Sequence, residues 1–138
     1  MNDKNISVAR ERFAHDNLSF IVGDVNKDIP DDRVDTVVMS NVLEHLDNRV
    51  EFLKGVQQKL SPGRWLIRVP MFERDWRVPL MEELGVDYRL DDTHFIEYRK
   101  HEFLNELKEA GLHPSHVEYI WGEIWCEAQS EGGRKYSG

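Results

Sequence analysis

The stretch VDTVVMSNVLEHL, from Val34 to Leu46, carries the reading of this sequence. Val34 to Ser40 is a compact apolar, β-branched run, the pattern of a buried strand. Beyond it, Asp47 is placed to cap a helix that runs to Leu60. Phe52/Leu53, Val56 and Leu60 share one face of that helix, and Ser61-Pro62-Gly63 stops it. A second apolar run, Trp65 to Val69, follows at once and ends at Pro70. A strand, a helix and a strand in this order predict a parallel pair with a crossover.

The same signals extend outward in both directions. Upstream, Leu18 to Val25 (LSFIVGDV) reads as a strand and NKDIPDDR as a loop. Ile6 to His15 has helix formers with Ile6, Ala9 and Phe13 as its apolar residues. Downstream, Arg74 to Gly85 holds a short helix with Pro79 near its start. Lys100 to Ala110 is a stronger helix, with Phe103, Leu104 and Leu107 on one face and Gly111 as its stop. Val117 to Ile120 and Glu123 to Ala128 are strands joined by Trp121-Gly122, a hairpin connection. The order α β β α β (α) α β β predicts an α/β fold with a mainly parallel sheet and a C-terminal antiparallel hairpin. Residues 1–128 form one domain in this reading, and 129–138 (QSEGGRKYSG) a disordered tail.

Composition bounds the function. A chain of 138 residues can bury about two thirds of its unfolded surface. Charged residues make up 32% of it, and no apolar run approaches the roughly 20 residues that span a bilayer, so no membrane role is expected. A net charge of -8 opposes general nucleic-acid binding, which needs a basic surface. Cys126 is the single cysteine, so no internal disulfide and no cysteine-rich zinc site can form. MNDKNISVAR contains no apolar signal segment, and a cytoplasmic location is the default expectation.

Five stretches together resemble the class I S-adenosylmethionine-dependent methyltransferases, from about Ile6 to Ala128. They are FIVGDV, VDTVVMSNVLEHL, KLSPGRWLIRVP, DDTHFIEYRKHEFLNELKEAGL and the closing hairpin. The resemblance implies an incomplete Rossmann-like sheet. In the family, a glycine-rich turn after the first strand admits the cofactor, and an acid after the second strand holds its ribose. None of the nine glycines forms a G-x-G, and the first strand, its helix and the second strand have no counterpart. The sequence reads as an N-terminally truncated member without the main cofactor cradle. The family sheet is ordered 3-2-1-4-5-7-6, so Leu18–Val25 loses its neighbours and Val34–Ser40 becomes an apolar edge. Such an edge invites pairing. Leu18–Val25 slides across to it, two chains pair through it, or a partner supplies the missing strands. A homodimer is the preferred expectation.

The resemblance also assigns candidate residues. Asp24 and Val25, at a strand end, would meet the adenine of S-adenosylmethionine. Ser40, Asn41 and Glu44 follow Val34–Ser40 at the carboxyl end of the sheet, where such folds place ligands. His45, His94 and Tyr98 are the acid–base candidates. The alternative for Glu44 and His45 is holding the loop by hydrogen bonds. Met71, Phe72 and Trp76 of PMFERDW line an acceptor pocket or fill the space beneath a loop. EHLD and DDTH contain carboxylates and histidines, but neither has the i, i+4 histidine pair of a helical zinc motif, and no metal is expected. The expected function is a methyltransferase-like protein acting on a small molecule, impaired in cofactor binding as a lone chain. The alternatives are a non-catalytic interaction or dimerisation protein, or a fragment of a longer enzyme.

Overall fold

The computed structural model describes residues 3–130. They divide into two compact units, 1–31 and 32–138. The first contains α1 (Asp3–Arg12) and a segment of turns and loops with no strand. Within it, the Arg10 guanidinium donates to the Phe20 carbonyl at 2.7 Å.

The second unit contains β1 (Thr36–Ser40), α2 (Arg49–Leu60), β2 (Arg64–Pro70), α3 (Arg77–Glu83), α4 (Lys100–Glu109), β3 (Leu112–Ile120) and β4 (Glu123–Ser130). Short 3-10 turns at Leu43–His45 and Phe72–Arg74 follow β1 and β2. The strands form one sheet in the order β1-β2-β4-β3. β1 and β2 are parallel, whereas β4 is antiparallel to both β2 and β3. The order corresponds to the 4-5-7-6 portion of the family sheet, and the α/β assignment with its closing antiparallel hairpin holds, but the sheet expected to be mainly parallel is mixed, because β4 runs antiparallel to β2 as well as to β3.

Alternation along the strands builds the core. Trp65, Ile67 and Val69 of β2 and Ile124, Cys126 and Ala128 of β4 are buried on one face. Phe52, Leu53 and Val56 of α2 and Phe103 and Leu107 of α4 are buried in the same unit. Trp65 donates its indole N–H to the Ser130 hydroxyl at 2.9 Å, and that hydroxyl donates to the Pro62 carbonyl at 2.8 Å. The two helices are tied by Arg49, whose guanidinium reaches both oxygens of Glu106, the shortest contact being 2.7 Å.

Local signals explain most boundaries. Ser61 caps α2 in a left-handed conformation, and Gly111 takes a positive φ after α4. The Glu102 carboxylate accepts the Arg99 N–H at 3.0 Å and closes the first turn of α4. Trp121 and Gly122 both have positive φ (54° and 77°), as a two-residue primed hairpin turn requires.

Three expectations need correction. Leu18–Val25 forms no strand, and Ile21 is 66% exposed. A strand gains from a ladder partner, and without one its backbone groups do as well in water. The proposed slide of this segment onto β1 is therefore not seen, and β1 pairs only with β2 among the described residues. The cap of α2 is Asn48, not Asp47, and it makes no side-chain capping bond. The hairpin strands are longer than their apolar runs, because ladder pairing carries polar residues such as His113 and Gln129 along. Gln129 and Ser130 thus complete β4, and the rest of the expected tail lies outside the described residues. No helix among the described residues is long and apolar enough to cross a membrane.

Candidate active-site cleft

The carboxyl ends of β1 and β2 open into a cleft of about 390 Å³, lined in part by Asn41, Glu44, His45, Arg74, His94 and Trp121. Three chain segments meet there. Asn41 leaves β1 in a left-handed conformation that asparagine tolerates, and its N–H is held by the Arg68 carbonyl at 2.9 Å. The chain then turns into the 3-10 turn that carries Glu44 and His45. The Phe95 N–H donates to the Glu44 carbonyl at 2.8 Å, which brings the 91–98 loop alongside.

Glu44 is the most unusual group in the cleft. It is 1% exposed, and neither carboxylate oxygen has a hydrogen-bond partner. Buried carboxylates ordinarily have partners, because desolvating a charge without compensation is costly. Burial pushes its pKa above the ordinary carboxylate value, while its own backbone N–H and, after it, the neighbouring His45 and His94 pull the other way.

The two histidines are held by different devices. His94 is buried, and its Nδ1 lies 2.9 Å from Glu97 Oε1. Glu97 also accepts the Leu90 N–H at 2.6 Å and pairs with Arg74 at 2.8 Å. Arg74 in turn donates to the Tyr88 carbonyl. His45 Nδ1 lies 2.8 Å from the Thr93 hydroxyl, which donates to Asp91 at 2.6 Å. The Thr93 hydroxyl and backbone N–H hold the exposed Asp91 carboxylate down at about 2. The two imidazoles pack edge to face with centroids 4.6 Å apart. Glu44, His45 and His94 each offer a ligand atom within 4.8 Å of the others.

Folding therefore assembles Asn41, Glu44, His45 and His94 in this cleft, which neither Ser40 nor Tyr98 lines. Ser40 ends β1 beside the groove on the opposite sheet face, with Val38. Asp24 and Val25 belong to the N-terminal unit. The Asp24 carboxylate accepts the Asn26 N–H at 3.0 Å and pairs with Lys27 at 3.4 Å. The Asn26 N–H is the main cause of its lowered pKa. Tyr98 is wholly buried, with its hydroxyl donated to Glu106 at 2.6 Å. Burial first, and then that bond, raise its pKa far above the ordinary phenol value. Met71 and Phe72 are buried, whereas Trp76 is exposed.

Sequence reasoning missed Arg74, Thr93 and Glu97. The three-residue spacing of His94 and Glu97 was a usable signal. Arg74 had none, since it lies 23 residues from the carboxylate it serves.

The residues described fit S-adenosylmethionine only in part. The sequence has no G-x-G, so no glycine-rich turn admits the cofactor backbone to backbone. Asp24, the adenine candidate, has its carboxylate engaged with Asn26 and Lys27.

Comparison with known proteins agrees with the fold. Residues 1–67 match the family model for the methyltransferase domain. A chain of the complex between the Haloferax volcanii Trm112 methyltransferase activator and its methyltransferase is similar, at 18% identity and a TM-score of 0.69. That match covers 91% of this chain and 67% of the other. A methyltransferase structure from Bacillus halodurans gives 15% identity and a TM-score of 0.68 over 94% of this chain and 80% of its own. Magnesium protoporphyrin IX methyltransferase (ChlM) from Synechocystis PCC 6803, with bound SAH, gives 14% and 0.62 over 91% of this chain and 57% of its own. The chain thus spans only part of each relative, and at these identities the likeness concerns the fold. No curated protein matches the chain in sequence. The family match over residues 1–67, the motifs and the sheet order together make the chain similar to the class I S-adenosylmethionine-dependent methyltransferases, and the solved structures show that it shares their fold.

Proposed function

We propose that this methyltransferase-like chain retains the acceptor side of a methyl-transfer site for a small molecule and binds S-adenosylmethionine poorly when alone. The carrying observation is the cleft at the ends of β1 and β2. It gathers several charged and polar side chains, yet the sequence contains no glycine-rich turn. Its size suits a small acceptor, with His45 at hand to accept a proton. The SAH bound to the Synechocystis relative supports S-adenosylmethionine as the cofactor type. Titration calorimetry of the chain with S-adenosylmethionine and with SAH tests the reading. Heats should stay unsaturated into the high micromolar range, and low-micromolar binding by the lone chain would sink the proposed impairment.

A second reading concerns association, and the open edge of the sheet favours it. β1 has no partner on its outer side among the described residues, and Val38 is 67% exposed. Two chains pairing through this edge would satisfy its free backbone groups. The partnership of the Haloferax volcanii relative with an activator supports a second protein as the alternative occupant. Light scattering decides between them and a lone chain: a strict monomer at high concentration counts against the homodimer.

A further inference from the structure

We propose that Glu44, His45 and His94 form a binding site for one divalent first-row transition cation, with Glu97 and the Thr93–Asp91 pair orienting the two imidazoles. The proposal does not depend on methyl transfer or on S-adenosylmethionine.

The first argument is the donor set. Two imidazoles and one carboxylate each place a ligand atom within 4.8 Å of the others. Metal–nitrogen bonds of about 2.1 Å hold donors roughly 3–3.4 Å apart, so loading draws the three together by at most roughly 1.8 Å. A mixed nitrogen and oxygen set suits zinc, manganese, cobalt or iron(II) better than magnesium or calcium, which prefer oxygen alone.

The tautomers supply the second argument. Glu97 is ion-paired with Arg74 and can only accept, so His94 Nδ1 carries the proton that joins them. Thr93 gives its own proton to Asp91, so its oxygen accepts from His45 Nδ1–H. In the neutral form of each ring the lone pair is thereby fixed on Nε2. Carboxylate–histidine pairs that set the tautomer in this way are the usual support of a metal ligand.

Glu44 itself is the third. Its residue is 1% exposed, and both oxygens lack hydrogen-bond partners. A loop-holding role would require such bonds, and Glu44 makes none through its side chain. A cation between the carboxylate and the two Nε2 atoms compensates its desolvation. The sequence argument against a metal considered histidine spacing on a single helix. Here the donors come from two loops, 49 residues apart between His45 and His94.

The test uses the full chain, stripped with a chelator and titrated with Co2+ followed by visible absorption, with Zn2+ as competitor. No S-adenosylmethionine is present, so failure here is distinct from failure of the proposed methyl-transfer role. One equivalent should bind and raise the melting temperature. Glu44→Gln and His94→Ala should each abolish saturable binding, and Glu97→Gln should weaken it about 10–100-fold. His116→Ala, at an exposed pair with Glu118, should leave binding unchanged. Circular dichroism reports whether each variant folds, and the isosteric Glu44→Gln carries the test if His94→Ala does not. Absence of stoichiometric binding, or parent-like affinity in Glu44→Gln, overturns the proposal.

Discussion

Replacing Tyr98 by phenylalanine separates a structural tyrosine from an acid–base one. The hydroxyl donates to Glu106 at 2.6 Å, and Glu106 is also gripped by Arg49. The Arg49 guanidinium further binds the Leu46 carbonyl at 2.9 Å, so one cluster joins α2, α4 and the end of the loop after β1. Phenylalanine keeps the ring volume and opens no cavity, so the loss is one hydrogen bond to a charged acceptor. Such bonds contribute about 1.5–3 kcal/mol. Glu106 keeps its arginine, and its side chain is 19% exposed, so the low end applies, roughly 1.5 kcal/mol. For a domain of this size that lowers the melting temperature by roughly 6 °C. In urea it moves the midpoint by roughly 0.7 M, at a slope of about 2 kcal/mol per M. Arg49→Met should cost more, because it leaves the Glu106 carboxylate half-desolvated beside a single hydroxyl. The double variant should fall short of the sum of the two, since both changes act on Glu106. A loss below about 0.5 kcal/mol for Tyr98→Phe, or strict additivity with Arg49→Met, would refute the reasoning.

Two further outcomes follow from particular residues. Burial pushes the Cys126 thiol up to about 12, so the native chain should react slowly with a thiol reagent at pH 8 and fully in denaturant. Because the folded pKa lies above the ordinary 9.0, stability should be whole below about pH 9 and decline as pH rises towards 12, measured by urea titration at stepped pH. Gly122→Ala should destabilise the hairpin by roughly 2 kcal/mol, since a left-handed backbone alone costs an L residue about 1–2 kcal/mol. A Cβ there also meets Arg74 Cβ at 2.8 Å. Unchanged thermal stability would count against that close approach.

Periodicity was enough for β1, α2, β2, α4 and the closing hairpin, because each carries its own apolar pattern and stop signal. Gly111 ends α4 by the left-handed backbone that glycine favours, and the Ser61-Pro62-Gly63 run marks the end of α2. Leu18–Val25 has an equally strand-like composition and forms none. Composition measures what a segment would bury, whereas a strand exists only where a neighbour accepts its hydrogen bonds. The sequence likewise pointed to Glu44, His45 and His94 individually, from their positions behind β1 and in the DDTH loop.

By itself, then, the sequence determined the fold class and the resemblance to a family, which in turn implied the order of the sheet. These rest on local patterns and on motifs in series, which survive without coordinates. Only the tertiary structure decided which candidates stand together. It buried Tyr98 against Glu106, turned Ser40 to the other face of the sheet and left Glu44 unpartnered beside two imidazoles. The physical reason is that burial and tautomer are set by groups far away in the chain. Arg74 fixes Glu97, Glu97 fixes His94, and Phe95 docks on the Glu44 carbonyl. No spacing rule connects these residues, because the loops that carry them meet only after the sheet has formed.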